Sequence, residues 1–462
     1  MSFGIFFLLI TALSPGHTSP PLSPPPPPPR PPNNDDPFPR LRLSRDNTFT
    51  LTIFSDLHFG EDEHSFGPLQ DELSAALMGS ILDEEPATGL VVLNGDLITG
   101  ENTFRQNSSA YVDEIVAPMA ARRVPWASTY GNHDSSYNLS REAMLAVEAK
   151  YRPLSRTQRM EPRVPGITNY YLLLYPQDAG GGQGGGGSRS RGQEQEQEQQ
   201  RPAAVLWFFD SRGGFEFLGI GPGGRPSPGG IPSWVAPETA AWFAAAGARL
   251  RAEHGPLPGV AFVHIPPRVF LAAQEGGLDA SRLPGLDGDV PVAVQGGEDG
   301  AGEDRAFVDA LRGEEGLHSV YVGHDHGAAW CAPWPEEEEE EEDEDEDEGE
   351  RRGASGEHGE KEKKKKRHGG GRRGPFLCFS KHTGYGGYGK WNRGARVIRL
   401  AFVDENGDGD FNEEGEMRVQ TWVRMEGGSV VTNVTLNETY GVDRYPTANG
   451  EDGELEEMAL LR

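Results

Sequence analysis

The chain has 462 residues, of which 72 are acidic and 43 are basic, and its formal net charge is -29. Nucleic-acid partners are not expected, because phosphate backbones attract clustered Lys and Arg, which occur here only in a low-complexity segment. Only 35% of the residues are hydrophobic, and the deficit lies in segments whose composition does not favour folding. We therefore expect one large domain, residues 46–445, instead of the two or three that the length allows.

Residues 1–18 are predicted to be a signal peptide, because the apolar run at 5–13 is too short to span a membrane and leads into small, helix-breaking residues. A mistaken gene start or a retained signal anchor is the alternative, since no Lys or Arg precedes the run. Residues 19–45 form a Pro-rich linker. No later stretch reaches the ~18 apolar residues of a transmembrane helix, so no stable membrane span is expected. The predicted location is the secretory pathway, the vacuole or the outside of the cell.

The first folded part of the chain is predicted to alternate strands and helices. Apolar, β-branched runs at 51–54 and 90–93 indicate buried strands, and residues 69–82 between them have the apolar period of a helix. Residues 111–121 indicate a second helix, and residues 125–130 a further strand. This order is typical of a βαβ unit.

The middle of the chain continues the alternation. Strands are predicted at 170–175 and 204–210, and the Gly/Gln/Glu-rich insertion at 179–201 between them is typical of an expanded hairpin loop. An Ala-rich segment at 236–252 indicates a helix. Apolar runs directly before His264 and before Gly323 indicate two more strands.

The carboxyl-terminal part contains a charged insertion, a hairpin and an acidic tail. The insertion, residues 336–374, has an acidic run followed by mostly basic residues, which predicts an unfolded loop. It is either a binding arm for a protein partner or a tolerated surface insertion. Alternating residues at 396–400 and 419–423 indicate the two strands of a hairpin, and residues 446–462 form the tail.

Five short polar clusters occur along the domain, and most of them directly follow a predicted strand. Their members are Asp56 with His58, Asp96, Asn132 with His133 and Asp134, His264, and His324 with His326. Loops at the carboxyl ends of the strands form the ligand crevice of open α/β sheets, so these side chains are expected to meet. Carboxylates and imidazoles bind Zn, Fe or Mn, and a carboxylate can donate one oxygen to each of two metals. The ordered clusters therefore predict a two-metal site.

In this order the clusters resemble the signature of the calcineurin-like metallophosphoesterase superfamily, over roughly residues 48–424. The sequences at 55–60 and 382–389 are similar to its purple-acid-phosphatase-like branch, which includes fungal phosphatases of the dosage-dependent cell-cycle-regulator type. The second match is the more specific to the branch. The resemblance implies an α/β fold, namely a four-layer α/β/β/α sandwich of two mixed sheets flanked by helices.

The resemblance also implies a role for each residue of the clusters. The metal ligands would be Asp56, His58 and His326 for the first ion, Asn132, His264 and His324 for the second, and Asp96 as the bridge. A water or hydroxide activated by the two metals would attack phosphorus in line. His133 would stabilise or protonate the leaving oxygen, and Asp134 would accept the other ring N–H of His133.

One position departs from the purple acid phosphatases. Their tyrosinate ligand lies three residues after the bridging Asp, where this chain has Thr99. A purple ferric charge-transfer centre is therefore not expected. The two divalent or trivalent ions could be Mn, Zn or Fe, because imidazole and carboxylate ligands discriminate poorly among such ions.

Two further segments suggest ligand contacts. His382 and Tyr385 belong to a Gly/Tyr-rich loop of the kind that lets backbone approach a ligand closely, and we predict that they contact substrate. The residues of the second segment resemble the first half of an EF-hand calcium loop: Asp404, Asn406, Asp408 and Asp410. The alternative is a polar turn between two strands, because the position of the bidentate Glu is Gly415.

The two cysteines, Cys331 and Cys378, bracket the charged insertion. They could pair and staple its base if their flanks are neighbouring strands, and the alternative is two buried free thiols. Four N-glycosylation sequons support export from the cytosol, at Asn107, Asn138, Asn433 and Asn437.

The sequence thus predicts a metal-dependent phosphoesterase that hydrolyses phosphate monoesters, with a phosphoprotein or a small phosphoester as substrate. Two alternatives are a phosphodiesterase acting on nucleotides or lipids, and a catalytically weak binding protein that retains the fold.

Overall fold

The computed structural model describes residues 38–177, 200–336, 374–403 and 416–446. The predicted signal peptide, most of the Pro-rich linker, nearly all of both insertions and nearly all of the acidic tail lie outside the described residues. So do the four residues of the calcium-like segment: Asp404, Asn406, Asp408 and Asp410.

The described residues form two mixed sheets. In chain order their strands are β1 (Leu41–Arg42), β2 (Thr48–Phe54), β3 (Thr88–Asn94), β4 (Trp126–Thr129), β5 (Tyr170–Tyr175), β6 (Ala204–Phe209), β7 (Gly259–Val263), β8 (Leu317–Val322), β9 (Cys331–Ala332), β10 (Phe376–Phe379), β11 (Gly394–Val403), β12 (Glu416–Met425) and β13 (Val430–Leu436). The seven-stranded sheet has the order β1-β5-β6-β7-β8-β10-β9, and the six-stranded sheet has the order β13-β12-β11-β2-β3-β4. Parallel pairs such as β2 with β3 and antiparallel pairs such as β2 with β11 occur in the same sheet.

Helices cover the outer faces of both sheets. In chain order they are α1 (Gly67–Glu84), α2 (Tyr111–Arg122), α3 (Arg141–Glu148), α4 (Pro237–His254), α5 (Val269–Glu275) and α6 (Arg305–Gly313). The first three helices share an apolar cluster with the six-stranded sheet, and the last three share one with the seven-stranded sheet. A third cluster joins the inner faces of the two sheets. The predicted four-layer α/β/β/α sandwich is confirmed.

Alternation along the central strands explains their continuous apolar sequences. In β6, Leu206 and Phe208 face the other sheet, whereas Trp207 and Phe209 pack under the helices. The strand β3 divides in the same way, with Val92 inside and Leu93 under α1 and α2. Successive side chains of a strand point to opposite faces, so a strand covered on both sides must be apolar at every position.

The layers bring the ends of five parallel strands to one edge of the sandwich. The loops after β2, β3 and β4 carry the first three polar clusters, and the loops after β7 and β8 carry His264 and the last cluster. The candidate site therefore spans the ends of both sheets.

A buried carboxylate fastens α3 to the strand that precedes Asn132. Glu148 accepts hydrogen bonds from five side chains: Trp126, Ser128, Tyr130, Ser155 and Thr157. Burial raises the pKa of Glu148, and the five donors oppose that rise because they stabilise the charged form. Because the Glu148 carboxylate is fully hydrogen-bonded, its burial costs little free energy. The same hydrogen bonds hold β4 in place at the edge of the site.

The four glycosylation sequons differ in exposure. Asn433 and Asn437 are exposed, whereas Asn107 and Asn138 are half-buried. The side-chain amides of the half-buried pair donate to Glu63 and to the Thr103 carbonyl, respectively. N-linked glycosylation stays a prediction and is better matched by the exposed pair, because a bulky glycan needs open surface. Within the described ranges, no helix combines the length and apolarity needed to cross a membrane.

The predicted disulfide is formed. Cys331 of β9 and Cys378 of β10 lie opposite each other in an antiparallel pair, with their Cα atoms 4.1 Å apart. Both are buried, and the Tyr440 hydroxyl donates to the Cys331 carbonyl. The bond therefore joins the two strands from which the charged insertion starts and to which it returns.

Replacing both cysteines by serine is expected to lower the free energy of unfolding by about 2–4 kcal/mol, because the crosslink restricts the unfolded chain. Denaturant unfolding of the Cys331→Ser/Cys378→Ser variant would measure the loss. Reductant should destabilise the wild type by a similar amount and leave the variant unchanged. Equal stability of the oxidised wild type and the variant would contradict the prediction.

Candidate metal centre

Two groups of buried or nearly buried ligand side chains meet at the strand ends. One consists of Asp56, His58 and His326, and the other of Asp96, His264 and His324. Within each group, one nitrogen or oxygen per residue lies within 4.8 Å of the others. The structure thus brings together residues that are up to 270 positions apart in the chain, from Asp56 to His326.

The backbone at these positions is unusual. Asp56, His58, Asp96 and His324 all have positive φ angles, of 57°, 51°, 48° and 77°. Residues other than glycine rarely adopt this conformation, and it concentrates at functional sites that the surrounding structure holds in place. The sharp turns allow residues directly after the strands to point back across the sheet edge. Gly131 is needed for the same close approach, since a Cβ there would lie 2.2 Å from the Asp96 Oδ1.

Hydrogen bonds set the orientation of three imidazoles. His264 Nδ1 donates to the Asn94 carbonyl at 2.8 Å, and His326 Nδ1 donates to the Tyr388 carbonyl at 2.7 Å. His58 Nδ1 lies 3.0 Å from the Thr99 hydroxyl, which donates to Glu61. With Nδ1 engaged, each ring presents Nε2 to the interior of the site, as metal-binding histidines do. Thr99 thus orients His58 and takes no ligand position of its own.

The Asp96 carboxylate lies between the two groups. Its Oδ2 is 2.9 Å from His264 Nε2 and 4.0 Å from His58 Nε2, and its Oδ1 accepts the His133 N–H. This is the placement expected of a bridging ligand.

The ligand atoms need a partner that the protein does not supply. Asn132 Oδ1 is buried and has no hydrogen-bond partner among the described residues, and the buried His264 Nε2 lies 2.9 Å from Asp96 Oδ2 without the geometry of a hydrogen bond. The Nε2 atoms of His58 and His326 face each other at 3.1 Å. Burial lowers the pKa of His58 to about 4 and that of His324 to about 3, which keeps both rings neutral, the form that binds metals. Imidazole, carboxylate and amide donors in this arrangement fit two divalent or trivalent cations.

The structure corrects the predicted partner of His133. Its Nδ1 lies 2.5 Å from Glu101 Oε1, whereas the predicted partner, Asp134, accepts backbone N–H groups of Leu97, Ile98 and Gly131. Asp134 is fully buried and ties the turn after β4 to the turn after β3. Adjacency in sequence was misleading, because the Asp134 carboxylate accepts the backbone N–H groups of two turns, which would otherwise be buried without partners. Glu101 follows Asp96 by five residues, and no motif marked it.

Burial works against protonation of His133, but the nearby carboxylates of Asp96 and Glu101 outweigh it and raise the pKa of His133 to about 10. The side chain of His133 is 35% exposed, unlike the ligand histidines. Its ring centroid lies 5.0 Å from that of His58. The imidazole of His133 therefore stands at the open side of the site, beside the first group of ligands.

The structure corrects one of the two predicted substrate contacts, His382, whereas the other, Tyr385, is half-buried and stays a prediction. His382 is only 1% exposed, and its ring lies against that of His326, with centroids 3.8 Å apart. The hydroxyl of Tyr385 donates to Glu426, and its backbone N–H donates to Ser74 of α1. The Gly/Tyr-rich loop does make a close approach, but to the ligands themselves, because a Cβ at Gly387 would lie 2.4 Å from His326. His382 therefore supports the site from behind.

Substituting the bridging residue tests the assignment of ligands. Asp96→Asn keeps the shape of the side chain but removes the charge, so bound metal is expected to fall from about two ions per chain towards zero. Elemental analysis after reconstitution with Mn, Zn or Fe measures the content. His318→Gln is the control, because His318 belongs to neither ligand group: its Nε2 donates to the Leu436 carbonyl, and its Nδ1 lies 3.3 Å from the Ser319 hydroxyl. Wild-type metal content in Asp96→Asn would overturn the assignment.

Comparisons with known proteins agree with this geometry. The family model described as calcineurin-like phosphoesterase matches residues 49–280, which is half of the chain. The Arabidopsis thaliana protein named "Probable inactive purple acid phosphatase 29" is 22% identical over 84% of this chain and 85% of its own length. "Phosphatase DCR2" of Saccharomyces cerevisiae is 32% identical over 22% of this chain and 19% of its own length.

A crystal structure of a dimetal phosphatase from Danio rerio aligns over 84% of this chain and 98% of its own, with a TM-score of 0.44 and 12% identity. The family match covers the loops after β2, β3, β4 and β7, which carry most of the candidate ligands. The chain therefore belongs to the calcineurin-like phosphoesterase family, hydrolases of phosphoric esters that use a dinuclear metal centre.

Proposed function

We propose that this protein is an active phosphomonoesterase. The observation that carries the proposal is the pairing of His133 with Glu101 at the open side of an otherwise complete set of ligands. A catalytically weak binding protein is the competing function, and two relatives from Arabidopsis thaliana bear the word "inactive" in their names. A protein that only binds its partner would have no need of the pair formed by His133 and Glu101. An enzyme that protonates a leaving group does need it, because the carboxylate orients the imidazole.

The metals would be held by Asp56, His58 and His326, by Asn132, His264 and His324, and by Asp96 between them. When bound, two such cations supply the Lewis acidity that activates water and offsets the charge on phosphoryl oxygens. We propose Mn, Zn or Fe, because the donor set suits all three.

The chain's own contribution is to hold and move a proton. The Asp96 carboxylate accepts the backbone N–H of His133, which anchors the residue beside the metals. Glu101 accepts from Nδ1, so that Nε2 carries the transferable proton towards the leaving oxygen. Glu101 thereby takes the positioning role first given to Asp134, and His133 remains the proposed acid.

Monoesters are preferred in this proposal because of charge at the entrance. Glu61, Asp62, Glu63 and Glu101 line the cavity beside the site. Nucleotides and anionic lipids bring additional negative charge, which these carboxylates would repel. A monoester places its charged phosphoryl group at the metals and needs no anionic second substituent.

We further propose that the enzyme works in the secretory pathway, in the vacuole or outside the cell. The buried Cys331–Cys378 bond supports this location, because structural disulfides persist in oxidising compartments. The predicted signal peptide and sequons add to it. A protein partner for the charged insertion stays a proposal, since that segment lies outside the described residues.

The choice between monoester and diester is tested by turnover of p-nitrophenyl phosphate and bis(p-nitrophenyl) phosphate with Mn, Zn or Fe. We expect kcat/KM for the monoester to be at least about tenfold higher, which corresponds to ~1.4 kcal/mol of transition-state binding. Asp96→Asn controls for contaminating phosphatase. Faster turnover of the diester would overturn the monoesterase proposal, and no turnover of either by metal-loaded protein would favour the binding protein.

The role of Glu101 is tested by Glu101→Gln, with Glu114→Gln on α2 as the control for loss of one carboxylate. We expect kcat to fall by about 10- to 100-fold for an alkyl phosphate, because proton donation contributes that much or more to such reactions. For p-nitrophenyl phosphate the loss should be several times smaller, since nitrophenolate leaves readily without a proton. An equal loss for both substrates would contradict this role.

A further inference from the structure

A cavity of about 730 Å³ opens beside the metal centre. It is formed by the loop between β2 and α1, by residues 101, 102 and 104 after β3, and by Gly387 of the Gly/Tyr-rich loop. None of the metal ligands lines it. The cavity is therefore a separate chamber adjoining the site, of a size that accommodates a ligand much larger than a phosphate group.

Two of its walls connect it to the chemistry. Glu101 lines the cavity and also holds Nδ1 of His133, the proposed proton donor. Gly387 lines it and packs against His58 and His326. Through Gly387 the cavity borders the first group of ligands, so the part of a substrate beyond its phosphate has room to enter it. The lining residues are placed to contact the alcohol part of the substrate.

The lining carries strong negative charge. It includes Glu61, Asp62, Glu63 and Glu101, and none of them forms an ion pair with Lys or Arg in the part of the chain that the structure describes. Glu63 accepts from the neutral donors Asn107 and Tyr111, which hold the carboxylate in place without neutralising it. Among the described residues three imidazoles face the group: His58 lies near Glu61, His133 lies at Glu101, and His64 lines the cavity with its ring 5.4 Å from that of Phe104.

Two aromatic rings stand exposed at the same cavity. Phe66 is 67% exposed and Phe104 is 40% exposed, and both belong to the lining. Large apolar side chains seldom stay exposed together next to a functional cavity without a ligand to cover them. Aromatic faces beside carboxylates attract guanidinium and ammonium groups through both cation–π and ionic contacts.

We propose that this cavity selects a leaving group with a positive charge, and that the substrate is a phosphopeptide segment with Arg or Lys next to the phosphorylated residue. The inference rests on the proposed phosphomonoesterase activity and names its substrate class. A peptide fits better than a small amino alcohol, because the cavity is far larger than an aminoethyl group and presents aromatic surface as well as charge.

The test uses two phosphoserine peptides that differ only in having Arg or Glu on both sides of the phosphoserine. The wild type should show a kcat/KM about fivefold to thirtyfold higher for the Arg peptide, and the ratio should shrink in about 0.5 M salt, because exposed charges are screened. O-phosphoethanolamine and choline phosphate form a second arm. If they outperform the Arg peptide, the site takes small cations and the peptide assignment is wrong.

Asp62→Asn/Glu63→Gln removes two cavity charges without touching His133 or a ligand. It should reduce the ratio between the two peptides to below about threefold and leave p-nitrophenyl phosphate turnover unchanged. Glu72→Gln/Glu275→Gln removes two exposed charges outside the lining and should keep the wild-type ratio. Phe66→Ala/Phe104→Ala should raise KM for the Arg peptide by a larger factor than it lowers kcat.

The outcomes separate this inference from the proposed activity. Turnover of p-nitrophenyl phosphate with equal rates for both peptides overturns the charge selection and leaves the phosphomonoesterase in place. If no ester is turned over by metal-loaded protein, the same peptides with a non-hydrolysable phosphonate in place of the phosphate decide by calorimetry. Tighter binding of the Arg phosphonate in wild type, lost in Asp62→Asn/Glu63→Gln, would keep the cavity assignment, and equal binding would end it.

Discussion

The carboxylates of Asp56 and Asp96 are enclosed at the junction of the two sheets. Their buried negative charge must be neutralised by cations, and the rest of the site is arranged around this requirement. Burial, only partly offset by the neighbouring His264, raises the pKa of Asp56 to about 6, and the Asp96 charge adds to the rise. Enclosed carboxylates this close are costly unless cations neutralise them. The positive φ angles, the absent side chain at Gly131 and the outward hydrogen bonds of the imidazoles all serve to aim donor atoms at that charge.

The groups behind the ligands account for the rigidity of the centre. Thr99 holds His58, the Tyr388 carbonyl holds His326, and His382 packs against the face of His326. On the six-stranded side, the buried Glu148 and its five donors keep β4 in position. Such supporting contacts determine how precisely the metal ligands are oriented. The site therefore depends on residues that are not metal ligands themselves.

Much of the fold could be predicted from the sequence because the apolar pattern is strong where layers cover both faces of a strand. The predicted helix at 111–121 and the hairpin of β11 with β12 match the structure closely, whereas α3, α5 and α6 were missed because they are short. Among the site residues, the metal-seeking clusters were evident from residue type and order, and the family resemblance supplied the role of each member. Glu101 was not evident, since only the turn after β3 brings its carboxylate to His133.

The sequence by itself determined which side chains can bind metal and that they follow strands, because ligand chemistry and strand periodicity are both local properties of the chain. Comparison with the purple acid phosphatases that it resembles adds that Thr99 stands at their tyrosinate position. Only the tertiary structure decided which carboxylate serves His133, that His382 lies behind the site, and that an acidic cavity with exposed aromatic rings adjoins it. These features depend on which loops meet across the two sheets. Contacts between segments that are distant in the chain produce no regular spacing of residues, so the sequence does not predict them.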